Sequence, residues 1–148
     1  MSDNQNLSRP IKHYVIALAV VLWVFMIFYA LVKNPSNTDA GEKISMMKAD
    51  MATMLANGGR VVYRNENAKF GGALLSVLVR TDSWSRQLKD RGIKTLIDLD
   101  WRRVSDNSDS FCKQGVLAEI QENVGNYKNI STVLISMRYN ATTINECK

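Results

Sequence analysis

Positions 14–32 form one unbroken apolar stretch, YVIALAVVLWVFMIFYALV, with no charged residue, no Gly or Pro, and no polar position at helical spacing. A helix of that length, rising about 1.5 Å per residue, matches the roughly 30 Å hydrocarbon thickness of a bilayer. A core helix would carry a polar face. A cleavable signal would have a shorter apolar region followed by small residues, and Leu31, Val32 and Lys33 make a poor cut site. The stretch is therefore expected to be an uncleaved single-pass anchor. Tyr14 and Tyr29 sit near its ends, where amphipathic rings favour the headgroup layer, with Trp23, Phe25 and Phe28 along the span.

Downstream the pattern becomes that of a folded domain. KNPSNTDAGEK reads as a linker of turn formers leading into a helix, with Asp39 and Glu42 three apart as a capping box. Ile44, Met47, Met51 and Met54 then recur at spacings of 3, 4 and 3, one face of a helix that Asn57, Gly58 and Gly59 end. Val61, Val62 and Tyr63 suggest a strand. Phe70, Leu74, Val77, Trp84 and Leu88 suggest a helix over 72–90, with Gly92 as its stop.

From Thr95 the period changes to two. Ile97, Leu99 and Trp101 alternate with Asp98, Asp100 and Arg102, which predicts a strand. Two further strands alternate through Val116, Ala118 and Ile120 and through Val133, Ile135, Met137 and Tyr139, joined by a hairpin turn within ENVGNYKN. The expected fold class is α+β: a transmembrane helix, then two helices packed on an antiparallel sheet of three to four strands. The boundaries are a short cytoplasmic tail at 1–13, the span at 14–32, a linker at 33–39 and the domain at 40–148.

Cysteine usage bears on the compartment. Cys112 and Cys147 have neither C-x-x-C nor zinc spacing. If the last two strands pair antiparallel, the cysteines meet at the open end of the hairpin, and an even count in a tethered domain fits an extracytoplasmic disulfide. Flanking charge gives a slight push towards a cytoplasmic N-terminus. The expected location is the inner membrane of a bacterium, with the domain in the periplasm or outside the cell.

Chemistry is hard to place. The single histidine, His13, lies ahead of the apolar stretch, so the domain has no histidine for a nucleophile, a general base or a metal. No glycine-rich phosphate loop precedes a helix. A net charge of +5 is dispersed without a basic run, which argues against nucleic acid. No enzyme activity, cofactor or metal is expected. The partners expected are the lipid bilayer, other envelope membrane proteins and a second copy in a homodimer. The expected function is a non-catalytic accessory or scaffold subunit that presents its domain to another envelope protein. That protein would belong to a secretion, pilus or conjugation assembly, or be a membrane-bound regulator. The candidate interaction face is Ile44, Met47, Met51 and Met54. The alternative is a small-molecule sensor or carrier whose apolar pocket is lined by Tyr63, Trp84 and Trp101.

Overall fold

A computed structural model describes residues 8–33, 35–106 and 108–148. The first seven residues of the expected tail, Asn34 of the linker and Asn107 of the polar loop lie outside them. The chain divides into two units, Met1–Asn34 and Pro35–Lys148.

The first unit contains helix α1, Ser8–Lys33. Its side chains at 13–29 are exposed, Trp23, Phe25 and Phe28 each by about two thirds. Among the described residues no helix is long and apolar enough to cross a membrane. This corrects the expected single-pass span and, with it, the inner-membrane location. The described apolar side chains of α1 are the 16 at positions 14–29. The helix also takes in Arg9, Lys12 and His13 at one end and Lys33 at the other.

The second unit is an α+β domain around one sheet. Its elements are α2 (Asn37–Leu55), β1 (Val61–Lys69), β2 (Gly72–Arg80), a short 3-10 turn (Thr81–Ser83) and α3 (Arg86–Asp98). They continue with β3 (Arg102–Arg103), β4 (Ser110–Lys113), β5 (Val116–Tyr127), β6 (Ile130–Tyr139) and α4 (Ala141–Glu146). Among the described residues the sheet has six antiparallel strands in the order β1-β2-β6-β5-β4-β3, not the three to four expected.

Local chemistry explains each departure. The first domain helix starts one turn early because Ser36 is its N-cap. The Ser36 hydroxyl accepts from the Asp39 N–H at 3.1 Å, and the Asp39 carboxylate accepts from the Ser36 N–H at 3.0 Å. Asp39 is thus the third residue of the helix, closing that capping box, and not its cap.

The expected helix over 72–90 is a strand followed by a later helix. In β2, Ala73, Leu75, Val77 and Val79 are buried while Leu74, Ser76, Leu78 and Arg80 are half-buried. Both faces of that strand are partly apolar, which hides the two-residue period. Ser85 caps α3, accepting from the Leu88 N–H at 3.2 Å. Gly92, expected as a stop, lies inside α3, where a Cβ would meet Met54 Cε at 3.0 Å. Its lack of a side chain lets α3 approach α2.

The strand expected from Thr95 is mostly helix. Asp100 takes a left-handed conformation at φ 67°. The Asp100 N–H donates to the Ile97 carbonyl and the Trp101 N–H to the Leu96 carbonyl, both at 3.0 Å. This is a Schellman closure with Asp where Gly is usual. The alternation of Ile97, Leu99 and Trp101 comes from a helix end followed by a reversal.

The core lies between the helices and one sheet face. Met47, Met51 and Met54 of α2 meet Leu75, Val77 and Val79 of β2, Ile135 and Met137 of β6, and Val116 and Ala118 of β5, all buried in one cluster. Each large side chain buried there is worth about 1.5–3 kcal/mol in removed apolar surface.

The β1–β2 turn is constrained. Phe70 and Gly71 have φ 52° and 75°, the two positive values of a type I′ hairpin turn. The Gly71 N–H donates to Asn37 Oδ1 at 2.9 Å, and a Cβ on Gly71 would run into the Pro35 carbonyl. Gly71→Ala is expected to lower stability by about 1–2 kcal/mol from the left-handed backbone alone, with a further loss from displacing Pro35. A lowered urea midpoint checks it.

Candidate interaction surfaces

The expected pocket aromatics do not converge. Trp101 is buried, and its Nε1 donates to Asp50 Oδ2 at 2.9 Å; Lys113 Nζ reaches the same oxygen at 2.8 Å. Trp84 is buried beside Gly59 and Gly92. Tyr63 stands exposed on β1, its ring 5.3 Å from that of Tyr127. The three therefore sit in different surroundings and enclose no common cavity.

Of these only Trp84 borders a cleft of about 550 Å³, with Ile93, Val133, Arg86, Lys89, Asp109 and Glu122 among its walls. The cleft is crossed by ion pairs: Lys89 Nζ lies 2.7 Å from Asp109 Oδ2 and 3.1 Å from Glu122 Oε1. The hydrogen bond to Asp109 holds the Lys89 ammonium above its ordinary 10.5; burial opposes this and Glu122 reinforces it. A mixed-charge lining whose members satisfy one another is poorly suited to an apolar ligand.

The raised value fixes a sign. A cation stabilised by folding contributes fully below pH 10.5, and the contribution is lost as pH rises through the raised value. The wild-type chain is expected to lose more stability between about pH 9 and about pH 12 than Lys89→Met does. Urea midpoints at the two pH values check this.

The candidate interaction face on α2 is also corrected. Met47, Met51 and Met54 are at most 1 % exposed and Ile44 packs against the same cluster, so the sheet covers that stripe. The stripe was read as uncovered because helix spacing shows that a face is apolar, not what lies against it.

The Cys112–Cys147 disulfide is formed, with Cα atoms 5.3 Å apart. It joins β4 to the C-cap of α4 and, with Leu117, makes a small cluster apart from the main core. The Asn140 side chain caps α4, accepting from the Thr142 and Thr143 N–H groups at 2.9 Å each.

One apolar surface that the domain leaves partly uncovered is on its sheet. Leu74 and Leu78 of β2 and Leu134 of β6 are half-buried on the face turned away from the core. They lie with Ser76 and Ser136 beside the Arg138–Glu119 ion pair of 2.8 Å. Sequence reasoning missed Asp50, Lys113 and the Lys89 cluster. Asp50 left one trace, since it falls three residues after Met47 within the apolar stripe.

Scans against protein-family models, curated proteins and solved structures each return no match to this chain.

Proposed function

We propose that the protein is a non-catalytic accessory or scaffold subunit that works by holding another protein. The observation that carries this reading is α1, whose side chains at 14–29 are apolar and exposed on every side. Such a helix is stable only against other apolar surface, and an apolar surface of this extent marks an association site. The domain supports the same reading. Several of its ionisable groups are held in structural pairs, such as Asp50 with Lys113 and Lys89 with Asp109. The dispersal of Tyr63, Trp84 and Trp101 removes the lining on which the sensor or carrier alternative depended. The disulfide favours an oxidising compartment.

The test compares the native mass of the assembly recovered with the wild-type chain and with the triple variant Val20→Gln, Trp23→Gln, Ile27→Gln. The variant is expected to lose its companion while the unfolding midpoint of the domain is unchanged, because the domain core lies within Pro35–Lys148. An assembly of unaltered mass would contradict the proposal. Vesicle flotation of the same two chains reports whether lipid also binds that surface.

A further inference from the structure

The sheet has two edges. β3 is only two residues long, whereas β1 runs for nine and among the described strands pairs with β2 alone. The direction of the β1 peptide groups follows from its two ends. The Arg80 N–H donates to the Arg60 carbonyl at 2.9 Å, and the two-residue turn closes the hairpin at Lys69 and Gly72. Both ends turn the even-numbered residues of β2 towards β1, and antiparallel pairs alternate. Opposite them, Tyr63, Asn65, Asn67 and Lys69 face β2. Arg64, Glu66 and Ala68 therefore direct their N–H and C=O groups out of the sheet. The bulge of β1 lies between Val61 and Tyr63, so 64–68 is regular strand.

The side chains on this edge are self-complementary. Arg64 and Glu66 stand on the helix-covered face, opposite Val77 and Leu75. Both are close to half exposed; Glu66 lies 3.0 Å from Lys48 and 3.5 Å from Arg64.

We propose that β1 pairs antiparallel with β1 of a second copy, about a two-fold axis at Asn65, making one continuous sheet across the dimer. In that register Arg64 lies opposite Glu66 of the second copy and Glu66 opposite its Arg64. Each is a narrow pair exchanging both main-chain hydrogen bonds, and Asn65 faces itself in the wide pair between them. Neighbouring registers that keep outward residues opposite outward residues fail on charge. An axis at Arg64 sets Arg64 against itself, and one at Glu66 sets Glu66 against itself, which like-charge repulsion disfavours. An axis at Asn67 leaves both charges unmatched. The inference stands on β1 alone and is independent of the role given to α1.

The test uses the full chain. Asn65→Cys places two thiols across the axis with Cα atoms about 4.5 Å apart, within disulfide reach. The Asn67→Cys control sits opposite Tyr63 of the second copy and has no thiol facing it. A non-reducing gel is expected to show Asn65→Cys largely as the linked dimer and Asn67→Cys at background. Independently, Arg64→Glu and Glu66→Arg are each expected to weaken dimerisation about tenfold, through two like-charge pairs. The double variant restores it. A chain that associates through α1, or through a strand of an unrelated protein on the β1 edge, gives no such reciprocal rescue. Equal cross-linking at positions 65 and 67, or a double variant no better than the singles, would overturn the proposal.

Discussion

Replacing both Cys112 and Cys147 by serine is expected to lower the unfolding free energy by about 4 kcal/mol. The bridge closes a loop with a sequence separation of 35 residues, and the chain-entropy account of a loop that size gives about that value. Local structure argues that little of this is recovered elsewhere. α4 is only six residues long, and it ends at Cys147 as its C-cap. The cluster of Cys112, Leu117 and Cys147 is separate from the main core. Without the bridge, α4 keeps its Asn140 cap and the 2.9 Å bond from Thr143 Oγ1 to the Gly115 carbonyl, but loses the tie at its far end. Guanidinium unfolding of the double variant checks the magnitude, and amide exchange in α4 is expected to rise first. A loss under about 1 kcal/mol would show that β4 and α4 are held by packing alone.

The second large effect centres on Asp50. Its carboxylate is buried between the Trp101 indole and the Lys113 ammonium, both within 2.9 Å of the same oxygen. Lys113→Met keeps most of the unbranched side chain and removes its charge, which strands a buried anion; the expected cost is about 3 kcal/mol or more. A buried ion pair is worth less than the damage done by breaking it, so the double variant Asp50→Leu, Lys113→Met is expected to be more stable than Lys113→Met alone. It does not reach wild type, because Trp101 Nε1 then has no acceptor, a loss of about 1–3 kcal/mol. Chemical unfolding of wild type, both single variants and the double variant measures the coupling.

These two sites differ in how far the sequence reveals them. The disulfide was legible because an even cysteine count and two alternating strands, β5 and β6, agreed on one topology. The α2 stripe was legible as a helix face, but its partner was not, since Met47, Met51 and Met54 look the same whether covered by a sheet or left open. β2 was lost because Leu74 and Leu78 put apolar side chains on its outer face, where alternation would have required polar ones. The end of α3 was misread because Asp100 does work that usually falls to glycine. Asp50 meets Lys113 across 63 positions of chain, and no local pattern joins them. The cleft around Lys89 likewise depends on the fold bringing α3 next to Asp109 and β5. The apolar stretch at 14–32 stood out in sequence, and the reading that fails is the inference from an apolar run to a bilayer span.

The accessory role rests on a partner covering α1, and hydroxyl-radical footprinting of the native assembly tests that most directly. Trp23, Met26 and Phe28 are about two thirds exposed, and Phe70, at 94 %, is an exposed reference within the domain. The account predicts that in the native assembly the three α1 side chains are labelled far less than Phe70, and that their labelling rises when the chain is isolated. Labelling of Trp23, Met26 and Phe28 in the assembly at the full rate of the isolated chain would contradict it.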